Sequence, residues 1–109
     1  MSYRVMVVPD EDGNPARVSF AGSDAKGKET LSVSGSSTGF SNIPSGSSKA
    51  VITIETAQIR YWVDGSNPTS SDGHLANIGD AIVLDSPGQV YNFKAYGISG
   101  TAKLQISYF

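Results

Sequence analysis

From Lys49 onward the chain alternates apolar and polar residues with a period of two. Ala50, Ile52 and Ile54 alternate with Val51, Thr53 and Glu55, and Ala57, Ile59, Tyr61 and Val63 alternate with Gln58, Arg60, Trp62 and Asp64. Successive side chains of a strand point to opposite faces, so this pattern predicts half-buried strands. Asp64 to Gly73 is a polar loop rich in Ser, Asp and Gly. His74-Leu75-Ala76-Asn77 leads into a turn at Ile78-Gly79-Asp80, which precedes a strand over Ala81-Ile82-Val83-Leu84. Asp85-Ser86-Pro87-Gly88 reads as a further turn. Val90 to Tyr96 then reads as a strand with Tyr91, Phe93 and Ala95 on one face. After a turn at Gly97–Gly100, the series Ala102, Leu104, Ile106 and Tyr108 predicts a closing strand.

The first 48 residues are less regular. Tyr3 to Val8 reads as a strand stopped by Pro9, and Asp10 to Pro15 as a turn. Ala16 to Ala21 then reads as the returning arm of a hairpin. Between Gly22 and Ser48 serine and glycine recur, with Leu31, Val33, Phe40 and Ile43 as apolar anchors. Leu31-Ser32-Val33-Ser34 alternates as a short strand would. The rest leaves three readings open: an edge strand, a long loop, or an arm that orders against a partner.

Short strands separated by turns at regular spacing are the signature of a sandwich or barrel. The expectation is one all-β domain over residues 1–109, an antiparallel β-sandwich of jelly-roll-like type. Residues 1–48 would form a Ser/Gly-rich hairpin or arm and residues 49–109 the best-specified part. A chain of 109 residues supports one core without staples. It contains no cysteine, which excludes disulfides and thiolate metal sites. The net charge is −2 and the eight Lys and Arg residues are scattered. Nucleic acid and anionic membrane surfaces are therefore not expected partners, since both are met by clustered positive charge. No stretch reaches the roughly 20 apolar residues of a membrane span, and no leader pattern opens the chain. A soluble protein made in the cytoplasm is expected.

Catalytic motifs are missing from the residue pattern. His74 is the single histidine, at the end of a polar loop and without a nucleophile elbow. A turn histidine bonded to nearby backbone is the plainer reading than a hydrolase base. Glu11, Glu29 and Glu55 are isolated, and Asp10, Asp12, Asp64, Asp72 and Asp85 sit where aspartate builds turns. Neither a glycosidase pair nor a calcium loop of EF-hand type emerges. No phosphate-binding glycine motif occurs. No catalytic residue, cofactor or metal is expected. Trp62 alternates out of phase with Ile59 and Tyr61, on the face of Arg60 and Gln58. Outward aromatics on a sheet serve interfaces and sugar stacking as well as packing. Trp62, Tyr96, Arg60, Phe40 and Phe109 are accordingly the interface candidates.

The run Arg60-Tyr61-Trp62-Val63-Asp64-Gly65-Ser66-Asn67-Pro68-Thr69, followed by Gly73-His74-Leu75, Gly79-Asp80 and Leu84, resembles a group of small virion-associated proteins of tailed bacteriophages. Asn92-Phe93-Lys94-Ala95 and Ala102 to Tyr108 extend the resemblance, which covers about Lys49 to Phe109. It implies a head decoration or cement protein, located in the virion and bound to the major capsid protein or another virion protein. Such proteins often act as homo-oligomers, with a trimer favoured. The rival readings are a carbohydrate-binding module or fibre adhesin using Trp62, Asp64, Asn67 and Asp72, and a small hydrolase using His74.

Overall fold

In a computed structural model, residues 24–109 are described throughout, together with Val7–Val8 (β1) and Arg17–Val18 (β2). β1 and β2 pair antiparallel, Val7 opposite Val18 and Val8 opposite Arg17. The rest of the expected Tyr3–Val8 and Ala16–Ala21 strands lies outside the described residues.

Seven further strands form two antiparallel sheets. They are β3 (Gly27–Val33), β4 (Ala50–Glu55), β5 (Ile59–Trp62), β6 (His74–Ala76), β7 (Ala81–Leu84), β8 (Lys94–Gly97) and β9 (Ala102–Tyr108). One sheet has the order β3-β9-β4-β7, the other β6-β5-β8. An isolated bridge between Thr38 and Ala95 adds the 34–38 segment beyond β8. There Thr38 and Ala95 exchange backbone hydrogen bonds, each 2.9 Å, and Gly97 N donates to Ser34 O.

The inner faces follow the sequence alternation. Leu31 and Val33, Ala50, Ile52 and Ile54, Ile82 and Leu84, and Ala102, Leu104, Ile106 and Tyr108 are buried on the four-stranded sheet. Ile59, Ala76 and Ala95 meet them from the other sheet, joined by Ala57, Val90 and Phe93. The expectation of an all-β sandwich holds. Within residues 24–48, β3 runs the full length of β9, from Gly27 opposite Tyr108 to Val33 opposite Ala102. Of the three readings left open for this region, the edge strand applies to 27–33. The connection after it packs Phe40 and Ile43 against the core.

The segment Val90–Tyr96 departs from expectation. Pro87–Asn92 is a helix, α1, and only Lys94–Gly97 is strand. Ser86 caps the helix through its side chain, which accepts from Gln89 N at 3.4 Å, and Pro87 opens the first turn. The Gln89 side chain reaches back to accept from Asp85 N at 3.0 Å. Ser-Pro-Gly-Gln is thus a variant of the capping box, a stronger local instruction than the apolar alternation that follows it. Tyr91 consequently lies exposed on the helix, while Phe93 and Ala95 stay buried.

Where the chain leaves β4 for the other sheet, Thr56 takes φ 72°, a left-handed backbone that a β-branched residue seldom adopts. Its hydroxyl donates to Thr101 O at 2.8 Å and accepts from Lys103 N at 3.2 Å, so the crossover is fixed to β9.

Candidate functional site

Three of the five interface candidates, Trp62, Arg60 and Tyr96, gather on the outer face of the three-stranded sheet. On β5, Ile59 and Tyr61 point inward, which leaves Arg60 and Trp62 outside. β8 places Tyr96 opposite Arg60 and Lys94 opposite Trp62, and β6 places Leu75 on the far side of Arg60. Trp62 and Arg60 share one face, as their alternation predicts, the β5–β8 register brings Tyr96 beside them, and all three are half-buried.

The loop 64–73 folds back onto that face. Arg60 Nη1 donates to Gly73 O at 3.0 Å, and Arg60 Nε to Ser70 O at 3.4 Å. From the other flank, Lys94 Nζ and Ser37 Oγ both donate to Asn67 Oδ1, at 3.2 and 3.1 Å. Trp62 lies opposite Lys94 and two residues along β5 from Arg60, so the loop is bonded on both flanks of it. Pro68, between those anchors, is buried although its neighbours are exposed. The indole Nε1 of Trp62 is buried and has no hydrogen-bond partner. His74 closes the side, its ring 5.1 Å from that of Trp62 and 5.3 Å from that of Tyr61.

Inside the loop, Asp64 Oδ1 accepts from Ser66 N at 3.0 Å, and this backbone bond holds the Asp64 carboxyl below its ordinary value. Thr69 N donates to Asp72 O. Gly73 has φ 131°, and a Cβ there would lie 3.2 Å from Arg60 Cβ and from the Tyr61 backbone. Only glycine fits this close return of the loop to β5. Asp80 Oδ2 accepts from Asn77 N at 2.8 Å and closes the β6–β7 turn. Arg60, Asp64, Gly73 and Asp80 are thus all used in holding one loop and one turn in place.

The remaining interface candidates are placed elsewhere. Phe40 stacks on Phe93 with ring centroids 4.8 Å apart and meets Tyr108 edge-on at 5.6 Å, so it packs against the core. Phe109 is half-buried at the end of β9, where its backbone exchanges hydrogen bonds with Lys49 and accepts from Ser48.

A second polar centre escaped the sequence reading. Glu29 follows the inward phase of Leu31 and Val33 and is only 8% exposed. Its Oε1 accepts from Tyr108 Oη at 2.5 Å and from Asn42 N at 3.2 Å. Its Oε2 accepts from Ser41 N at 2.9 Å and also from Ser41 Oγ. Burial raises the carboxyl pKa, but the hydrogen bonds from Ser41, Tyr108 and Asn42 outweigh it and hold Glu29 below its ordinary value. Burial and the adjacent Glu29 carboxylate push the Tyr108 phenol up. A glutamate in the phase of a core strand is the signal that such a cluster exists.

Among the described residues no group of three or more His, Asp or Glu side chains could hold a metal ion. No described helix is long and apolar enough to cross a membrane. Comparison with protein-family models and with curated proteins finds no match.

Proposed function

We propose that the protein is a non-enzymatic structural protein of a tailed-phage virion, a head decoration or cement protein that works through protein–protein contacts. The observation that carries this reading is the interleaving of strands between the two sheets. Counting from β3 and taking the 34–38 segment as a reduced second strand, the strands fall as first, eighth, third and sixth in one sheet, and second, seventh, fourth and fifth in the other. We read this order as a jelly roll, an architecture used by viral capsid and lectin domains. The resemblance of about residues 49–109 to small phage virion proteins selects the capsid side of that pair.

The use made of the shared motif supports the same reading. Arg60, Asp64 and Gly73 set the shape of a surface loop, which suits a part whose function is a fixed outer contour. Tyr96, Leu75 and the exposed side of loop 64–73 are the contact surface in this reading. Its partner is the major capsid protein or another virion protein, its location the virion, and the working form a homo-oligomer.

Co-sedimentation with heads of the phage that carries the gene tests the proposal. Saturable binding with raised thermal stability of the heads is the expected result. Saturable binding to a glycan with none to heads would overturn it in favour of the adhesin reading.

A further inference from the structure

Three aspartates of the chain are followed by glycine: Asp12, Asp64 and Asp72. At such a step the glycine amide nitrogen can attack the aspartate side chain, since no Cβ on the following residue shields it. A bond forms from that nitrogen to Cγ, the carboxyl loses a hydroxyl and the amide its proton as water, and a five-membered imide results. Water then reopens the ring. Cleavage between nitrogen and Cγ restores aspartate. Cleavage between nitrogen and the main-chain carbonyl carbon leaves isoaspartate, with one more carbon in the backbone and the charge retained.

Asp12-Gly13 lies outside the described residues. The other two steps bound the same loop, and their surroundings differ. At Asp64 both reacting groups are engaged: Oδ1 accepts from Ser66 N at 3.0 Å, and Gly65 N donates to Asn92 O at 3.1 Å. The bond from Ser66 also favours the ionised carboxyl, which loses oxygen less readily than the acid. At Asp72 the side chain is exposed, and among the described residues neither its carboxyl nor the Gly73 amide is hydrogen-bonded.

We propose that Asp72-Gly73 is the step at which the folded chain isomerises to isoaspartate. Asp72 lies between Ser70 and Gly73, whose carbonyls Arg60 holds, and its own carbonyl accepts from Thr69 N at 2.9 Å. The added carbon changes the spacing of the two carbonyls on Arg60 and takes the Asp72 carbonyl out of the main chain. Isomerisation therefore loosens the clamp on loop 64–73. The inference rests on these bonds and not on the capsid reading.

Incubating the full chain near neutral pH in water enriched in heavy oxygen tests it. Each passage through the imide leaves one heavy oxygen, whichever way the ring opens, and peptide mass mapping with fragmentation reads each site separately. In the folded chain, uptake at Asp72 should exceed that at Asp64 on the order of fivefold, the rate equivalent of one hydrogen bond. In concentrated urea the preference should vanish. The separated isoaspartyl form should exchange its Thr69 amide faster than the parent chain. Equal uptake at the two sites in the folded chain, greater uptake at Asp64, or no uptake at Asp72 would overturn the proposal. So would a preference that persists in urea, which would trace it to neighbouring residues instead of the fold. Unchanged exchange at Thr69 would overturn the loosening of the clamp.

Discussion

The hydroxyl of Tyr108 donates to the carboxylate of Glu29 across 2.5 Å, tying β9 to the edge strand β3 beneath the 39–44 connection. The same carboxylate holds Ser41 and Asn42, so one buried acid fixes a strand and a loop together. Its donors are neutral groups, and the cluster depends on their number rather than on a counter-charge.

Removing either partner leaves a buried polar group short of a bond. Tyr108→Phe should cost about 1.5–3 kcal/mol, the range for a hydrogen bond to a charged group, and Glu29→Gln about 1–3 kcal/mol. Urea unfolding of the two single variants and the double variant reads both values and their coupling.

Glu29 also sets a pH dependence. Its folded pKa lies below the unfolded value near 4.5. Its contribution is therefore fully present above pH 4.5 and is lost as pH falls from there through the folded pKa. Glu29→Gln should lose less stability than the wild type over that acid window, measured as the urea midpoint against pH.

Trp62 is the single tryptophan, so its fluorescence reports on the loop bonded at Arg60 and Lys94 on its two flanks. Arg60→Ala removes the bonds to Ser70 O and Gly73 O. It should make Trp62 more accessible to acrylamide, with a stability loss on the order of 1 kcal/mol. Asn67→Ala, which frees the Lys94 and Ser37 flank, should act in the same direction. Unchanged quenching in both variants would mean that these bonds do not shield Trp62.

Gly97 lies where no side chain fits. A Cβ there would sit 2.6 Å from both Gly100 O and Val33 O, which are backbone atoms. Gly97→Ala should cost at least about 1–3 kcal/mol as an overpacked core does. Its melting temperature should fall well below that of Gly88→Ala, where the added Cβ has open space and the backbone is not left-handed.

At α1 the cap decides the structure. Ser86→Ala should cost about 0.5–2 kcal/mol, and Ser86→Gly only a few tenths. Because α1 delivers Val90 and Phe93 to the core, the loss should register in global unfolding.

By itself, the sequence determined the sandwich and most of its inner surface. Strand side chains alternate with a period of two, so Ala50-Ile52-Ile54 and Ala102-Leu104-Ile106-Tyr108 define a buried face without knowledge of any partner. It also placed Arg60 and Trp62 on one outer face of β5 and Tyr96 on the outer face of its own strand, since parity along a strand needs only local geometry. The helix at Pro87–Asn92 was legible too, in Ser86, Pro87 and Gln89, but the alternation of Val90 to Tyr96 masked it.

Tertiary structure alone decided what those outer residues do. Whether Trp62 is open or covered depends on where loop 64–73 returns, and that is fixed by Arg60 and Lys94 from two different strands. Glu29 meets Tyr108 across 79 residues of chain, a pairing set by the register of β3 on β9. Phe40 became a packing residue for the same reason, because Ser41 and Asn42 are drawn to Glu29 and carry it onto Phe93. Alternation records which way a side chain points, and only the long-range register records what it meets there.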